Sequence, residues 1–234
     1  MEQQDTTDNA EPMLTAMEAR ILGALMEKQM TTPDAYPLTL NSLLLACNQK
    51  TSREPVSNYE SGEVQRCVSQ LQERKLIDVD YGARAARYDQ RLTRVVSLDK
   101  PAQALICIML LRGPQTISEL LTRTQRMFDF TTTQAVEEKL EHLCAKTSPI
   151  IMRISRQAGQ REDRYMHLLC GEPDLTAIAA MNSNSKYHAA PDDDRITQLE
   201  QKIEQLETHV SLLQRQIKVL LDLNDITDAD IPQH

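Results

Sequence analysis

Four polar side chains within six residues can hydrogen-bond the edges of nucleic-acid bases. They are Gln65, Arg66, Ser69 and Gln70. The apolar residues between them, Val64, Cys67, Val68 and Leu71, recur at the spacing of one helical face, which predicts a helix over residues 61–74. The polar four then lie on the outer face. Arginine pairs well with guanine and glutamine with adenine in the major groove, so this face predicts base recognition, although any solvated helix can carry such residues.

Cationic residues on both sides of this helix could hold the phosphates of a duplex. Lys50 and Arg53 precede it in a polar loop. The segment 80–94 after it, read as a strand hairpin, carries four arginines against two acids. We expect Lys50, Arg53, Arg84 and Arg87 to face phosphates. A charged hairpin is equally compatible with a merely solvated surface.

The chain shows no sequence pattern typical of an enzyme. It has six glycines, no glycine-rich phosphate loop, no HExxH zinc pattern and no GxSxG nucleophile. Two pairs, His142 with Cys144 and His167 with Cys170, could supply metal ligands, but Cys144 sits on an apolar helical face, where a small buried residue is the usual meaning of cysteine. Cys47, Cys67 and Cys107 occupy similar positions. We therefore predict no catalytic residue, no cofactor and no metal.

The elements around these residues occur twice in the same order, which indicates an internal duplication. Three amphipathic helices and a strand hairpin fill residues 13–98, and the same series, opening with an apolar helix over 102–112, fills residues 99–172. Arg87-Tyr88-x-x-x-Leu92 is echoed by Arg164-Tyr165-x-x-x-Leu169. Helix, helix, helix, hairpin is the order of a winged-helix domain, a relative of the helix-turn-helix. The predicted class is α+β, mainly α, with two tandem winged-helix domains.

The third helix of the second copy differs in charge from that of the first. It exposes Gln134, Glu137, Glu138, Lys139, Glu141 and His142, a net charge of −2. Like charge opposes approach to phosphates, so this helix is not expected to read DNA. The second copy is expected to serve packing or a protein partner.

The C-terminal segment 195–223 has the pattern of a coiled coil. Apolar residues alternate at steps of three and four over four heptads: Ile196, Leu199, Ile203, Leu206, Val210, Leu213, Ile217 and Leu220. β-Branched residues at a and leucine at d favour a parallel two-stranded coiled coil, hence a homodimer. The alternative is a single amphipathic helix lying on its own domain. Residues 1–12 read as a disordered acidic tail, 173–194 as a short helix and polar linker, and 224–234 as a tail.

Composition and charge indicate which classes of partner the protein can have. The net charge of −8 is concentrated at the termini, and residues 13–191 carry a net charge of +2. Aromatic residues make up only 3% of the chain, which argues against a surface that stacks single-stranded bases. The longest apolar run, residues 104–111, is far shorter than the ~20 residues of a membrane span. An odd number of cysteines, five, without a CxxC pair indicates reduced thiols, so we expect a cytoplasmic protein with no membrane partner.

With these features together, the chain resembles the YceH-like family of bacterial proteins over residues 14–171. The stretches that carry the resemblance are TTPDAYPLTLN at 31–41, ACNQK at 46–50, REP at 53–55, EVQR at 63–66 and LRGPQT at 111–116. The resemblance implies tandem winged-helix domains, and it implies no catalytic residue or cofactor. The loop 48–55 can be functional, or it can brace the approach to the third helix.

The sequence supports two hypotheses for the function, from different classes of protein. The first is binding of double-stranded DNA as a dimer, for transcriptional regulation, through the third helix and wing of the first domain. The second is a protein-interaction scaffold similar to the acidic, dimeric kleisin-binding subunit of the bacterial chromosome-condensation complex, which does not read bases.

Overall fold

A computed structural model describes residues 13–82, 85–156 and 161–173 of the chain. Their first part contains α1 (Ala16–Thr31), a 3-10 turn (Pro33–Ala35), β1 (Leu38–Thr39), α2 (Leu40–Cys47), α3 (Ser61–Glu73), β2 (Ile77–Asp80), β3 (Arg87–Gln90) and α4 (Leu92–Val95). The second part contains α5 (Lys100–Arg112), α6 (Ile117–Thr124), α7 (Thr133–Cys144), β4 (Ile151–Ile154) and β5 (Arg164–His167). The α+β, mainly helical class is confirmed. The predicted tails, linker and coiled-coil seam lie outside the described residues.

Two helices begin at capping boxes that are visible in the sequence. The Thr15 hydroxyl accepts the Glu18 backbone N–H (3.3 Å), while the Glu18 carboxylate accepts the Thr15 N–H (2.7 Å). Thr116 and Glu119 repeat this exchange at the start of α6, at 3.2 and 2.9 Å. These reciprocal bonds satisfy N–H groups that a helix cannot pair internally, so the start of each helix is determined locally.

Each half closes with a small antiparallel sheet. The first sheet has the strand order β1-β3-β2, with Leu38 opposite Tyr88. The second pairs β4 with β5, and an isolated bridge joins Gln115 to Tyr165. Gln115 thus takes the position in the second sheet that β1 takes in the first, beside the second strand of the hairpin. Elements β1 and α4 were not predicted, because segments of two and four residues are too short to show a periodicity.

Helices α1 and α5 pack closely and join both halves into one hydrophobic core. A Cβ added at Gly23 of α1 would lie 3.0 Å from Leu111 Cδ2 of α5, so glycine permits this approach. Cys107 Sγ of α5 donates to the Gly23 carbonyl at 3.4 Å. The Leu14 N–H also donates to the Leu169 carbonyl, at 2.7 Å. The two repeats therefore share their interior, and among the described helices none is long and apolar enough to cross a membrane.

Candidate nucleic-acid interface

Helix α3 separates a buried face from an exposed polar one. Val64, Cys67, Val68 and Leu71 are buried, and Gln65, Arg66, Ser69 and Gln70 are all exposed. Ser69 Oγ donates to the Gln65 carbonyl at 3.0 Å, and Arg66 Nε donates to the Gly62 carbonyl at 3.4 Å. The side-chain amides of Gln65 and Gln70 make no hydrogen bond to any described residue, so they are available to a ligand.

Two carboxylates, which the predicted site did not include, lie at the N-terminus of α3. Glu60 is the N-cap, and the Glu63 carboxylate accepts its backbone N–H at 2.8 Å. This capping box stabilises the helix, since acids favour the positive end of the helix dipole. The same charges repel phosphate at that end. The part of α3 suited to a duplex is therefore its middle, from Gln65 to Gln70.

The sheet and the end of α3 form a shallow cavity of about 580 Å³. Lys75 and Arg87 line it together with three aspartates. Both cations are exposed, and Arg87 Nη1 donates to the Pro37 carbonyl at 2.8 Å. Lys75 follows Arg74, the C-cap of α3, and adopts a φ of 57°, a left-handed conformation typical of a residue just past a helix end. Lys75 is not among the predicted phosphate contacts, although its position just past the predicted helix end is a sequence signal for it.

The other arginines of the predicted first hairpin are Arg84, Arg91 and Arg94. Arg84 lies outside the described residues. Arg91 forms ion pairs with Asp78 and Asp89. Arg94 lies in α4 rather than in the hairpin. Within the described part of the hairpin, Arg87 is thus the arginine best exposed for a phosphate.

Of the two predicted phosphate contacts that precede α3, only Lys50 is exposed. The expectation for Arg53 is wrong, because its side chain is fully buried. Its guanidinium donates to both Glu27 carboxylate oxygens (3.2 and 2.6 Å) and to the Ala46 carbonyl (3.0 Å). A guanidinium enclosed in this way cannot reach a phosphate.

The loop 48–59 is anchored to its surroundings by side-chain bonds. The Asn48 side chain donates to the Tyr59 carbonyl and accepts the Tyr59 N–H, both at 2.9 Å. Ser57 Oγ donates to the Cys47 carbonyl at 3.0 Å. Arg20 Nη2 reaches the Pro55 carbonyl at 2.7 Å, and burial lowers the pKa of this arginine. These contacts favour the bracing role over the functional one.

The exposed face of α7 in the second repeat carries carboxylates, whereas the exposed face of α3 in the first repeat carries amides. Glu137, Glu138 and Glu141 are exposed along α7, with Gln134 and His142. Lys139 is drawn back to Asp99 at 2.5 Å. In the second hairpin, Arg153 pairs with Asp163, and Arg164 pairs with Glu119 at 3.0 Å. The hydrogen bonds of Asp163 to the Arg156 N–H and to Arg153 lower the pKa of its carboxyl.

Three of the five cysteines lie within the protein interior, as expected from their helical positions, whereas Cys144 and Cys170 are only partly buried. Cys47, Cys67 and Cys107 are buried. Burial raises the pKa of the Cys47 thiol to about 12 and that of Cys67 to about 11, so both stay protonated at neutral pH. The described residues contain no group of three or more His, Cys, Asp or Glu side chains placed to hold a metal ion.

Comparison with known proteins assigns the chain to a family. The profile of a family described as "Protein of unknown function, DUF480" matches residues 14–160. The chain belongs to the DUF480 family. A "UPF0502 protein" of Cellvibrio japonicus is 71% identical over 212 residues, covering 91% of this chain and 96% of that protein. A "UPF0502 protein" of Ectopseudomonas mendocina is 50% identical over 195 residues, covering 82% and 89%.

The DUF480 match agrees with the resemblance to YceH-like proteins and covers the first repeat and most of the second. A "UPF0502 protein" of Stenotrophomonas maltophilia, 43% identical over 209 residues, covers 89% of the chain and 94% of that relative. The DUF480 region therefore includes α3, its capping glutamates and the first sheet, and it ends before the predicted coiled coil.

Proposed function

We propose that this DUF480 protein is a non-enzymatic, dimeric transcriptional regulator that binds double-stranded DNA through its first repeat. The observation that carries the proposal is the exposed face of α3. The side-chain amides of Gln65 and Gln70 bond no described residue, and Arg66 stands between them. Amide and guanidinium groups at this spacing match the hydrogen-bonding edges of the major groove.

The order and pairing of the elements support a winged-helix assignment for each half. Three helices precede the hairpin in both, and a short strand or bridge adds a third member to each sheet. In such folds the third helix enters the major groove, and phosphate contacts on either side position it. Lys75 and Arg87 have the exposure needed for those contacts, as does Lys50 in the loop before α3.

Dimerisation would present two α3 helices to two half-sites. We base dimerisation on the heptad repeat of apolar residues in 195–223. The proposed dimer contact is a parallel coiled coil. A cytoplasmic location is proposed as well, because the five cysteines are free thiols, as expected in a reducing compartment.

Fluorescence anisotropy of the full chain with random duplex DNA, between about 50 and 200 mM salt, tests the proposal. We expect affinity to fall steeply with salt. Lys75→Ala with Arg87→Ala should weaken binding uniformly across sequences and reduce the salt slope. Arg126→Ala with Lys146→Ala removes the same charge from the second repeat and serves as the matched control. Equal loss in both double variants, or no binding at low salt, contradicts the proposal.

A second candidate, the protein-interaction scaffold, is favoured by the acidic face of α7. Glu137, Glu138 and Glu141 are exposed and make no ion pair with a described residue. A partner for this face would carry a basic stripe. If duplex DNA does not bind, charge reversal by Glu137→Lys and Glu141→Lys should abolish co-purification of a protein partner from the native host, while Glu63→Lys on α3 should leave it unchanged.

A further inference from the structure

A second cavity, of about 480 Å³, lies where the two repeats meet. Its walls come from the end of α1, from β3 and α4 of the first repeat, and from α5 and the segment after α6 of the second. A volume of this size is within the range of small-molecule sites. The proposed DNA contact does not use this cavity.

A network of three glutamines lines this cavity. Gln90 and Gln103 are more than nine-tenths buried, and the amide N–H₂ of each donates to Gln29 Oε1, at 2.8 and 2.9 Å. Gln90 is further held by Thr93, whose N–H donates to its Oε1 at 3.1 Å. Buried amides bonded in this way are rigid, because releasing any of them leaves a polar group unpaired.

Two groups of the network are not used within the described protein. The Gln29 amide N–H₂ has no acceptor there, and Gln103 Oε1 has no donor, although both residues line the cavity. The cavity lining therefore includes one unused donor and one unused acceptor, on two glutamines that are hydrogen-bonded to each other. This pattern is complementary to an amide-like edge, such as the hydrogen-bonding edge of a nucleobase.

The cavity also carries a net positive charge. Asp89 and Arg91 neutralise each other, and Tyr36 Oη donates to Asp89 Oδ1 at 2.6 Å. Arg94 and Lys100 are exposed and make no ion pair with a described residue, which leaves a charge of +2. A phosphate monoester carries a charge of about −1.5 to −2 at pH 7 and would balance it.

The spacing of these groups suits one compact ligand. Lys100 and Gln103 are three residues apart on α5, so their Cβ atoms are about 5 to 6 Å apart. Met30 and Met127 also line the cavity, and thioether side chains make favourable contacts with aromatic rings. We infer that this cavity binds a nucleoside monophosphate, with Arg94 and Lys100 on the phosphate and the free groups of Gln29 and Gln103 on the base. Such binding is independent of the proposed DNA contact.

Isothermal titration calorimetry of the full chain at about 50 mM salt tests this site. AMP, GMP, CMP and UMP are titrated separately, with inorganic phosphate and adenosine as partial ligands. We expect at least one nucleotide to bind with a dissociation constant below about 1 mM, and at least tenfold more tightly than phosphate. Absence of binding by all four at 10 mM, or phosphate binding as tightly as the nucleotide, would overturn the assignment.

Variants then locate the site. Arg94→Ala with Lys100→Ala should weaken the nucleotide at least tenfold. Lys50→Ala with Arg161→Ala, exposed cations that do not line the cavity, should leave it unchanged. Gln29→Glu keeps the acceptor for Gln90 and Gln103 but removes the free N–H₂, and should weaken nucleotide binding at least fivefold, with an unchanged urea midpoint showing that the variant is folded. An equal affinity for the cavity and control double variants would exclude this cavity as the site.

Discussion

Arg53 and Glu27 form a bidentate ion pair that ties the loop after α2 to α1. The two N–O distances are 3.2 and 2.6 Å, and the Arg53 side chain has no exposed surface. A third bond, from Nε to the Ala46 carbonyl, completes the enclosure. The segment that leads to α3 is therefore fixed by a buried charge pair.

Loss of the arginine alone should be costly. Arg53→Met leaves the Glu27 carboxylate without its partner, and removing one member of a buried pair typically costs about 3 kcal/mol or more. Urea unfolding followed by circular dichroism measures the change. Replacing both residues by methionine should recover much of the loss, because no charge is then stranded. A stability for Arg53→Met equal to that of Lys50→Met, a surface control, would contradict the structural role.

His167 should make the fold sensitive to mild acid. Burial lowers its pKa from the ordinary 6.5 to about 4. Between these values the unfolded chain binds a proton that the folded chain does not, so stability is complete above pH 6.5 and falls as the pH drops toward 4. The shift corresponds to about 3 kcal/mol at the acid end of this window.

The equivalent position in the first repeat supplies the matched variant. Gln90 occupies in β3 the place of His167 in β5, and both are buried. We expect His167→Gln to remove about one proton from the pH dependence of the unfolding free energy, measured by urea titration from pH 4.5 to 7. Parallel curves for the two proteins across that range would refute the assignment.

Two glycines in helices should respond oppositely to alanine. A Cβ at Gly23 would lie 3.0 to 3.1 Å from Leu110 and Leu111, and should push α1 away from α5 at a cost of about 1 to 3 kcal/mol. A Cβ at Gly62 in α3 meets nothing within 4 Å. Gly62→Ala should therefore leave stability unchanged or raise it by up to about 1 kcal/mol. Thermal melting distinguishes the two, and similar melting temperatures would argue against a close α1–α5 contact.

Removing a negative charge at the start of α3 should raise DNA affinity, which tests the proposed DNA contact. Glu63→Gln keeps the acceptor that caps Glu60 but removes one negative charge near the duplex. We expect DNA affinity to rise severalfold at low salt, with the gain shrinking as salt increases. Glu138→Gln on α7 is the control, because the second repeat is not expected to touch DNA. Equal effects of the two substitutions in anisotropy titrations would indicate a non-specific change in overall charge.

A measurement of molecular mass tests whether the predicted coiled coil of residues 195–223 forms the dimer. Leu206→Lys with Leu213→Lys places two charges at d positions, which a parallel coiled coil would have to bury. Light scattering should then report a monomer of 26.6 kDa instead of a dimer. Glu204→Lys with Gln214→Lys, away from the a and d positions, should leave the dimer intact. An unchanged mass for the leucine variant would disprove the seam as the dimer contact.

The helices of both repeats were predictable because their signals are local. The periodicity of Val64, Cys67, Val68 and Leu71 identified the buried face of α3, and the capping residues Thr15 and Thr116 marked where two helices begin. The predicted ends differ by one or two residues. Helix α3 ends at Glu73, and α5 starts at Lys100, after its cap Asp99.

Sequence alone could not determine the partners of charged groups. Arg53 and Arg87 are the same residue type in similarly polar segments, yet one is buried on Glu27 and the other is exposed. The difference depends on a carboxylate 26 positions away, which only the packing of the loop against α1 brings within reach. Long-range electrostatics leave no periodic trace in a sequence.

The amino-acid sequence by itself determined the repeated order of helices and hairpins, the exposed amides of α3 and the acidic face of α7, because periodicity and capping act between residues close along the chain. Only the tertiary structure decided that α1 and α5 join both repeats in one core, that Gln29, Gln90 and Gln103 meet at one cavity, and that Arg53 is enclosed. These outcomes arise from close packing between distant segments, where shape and charge must match in three dimensions.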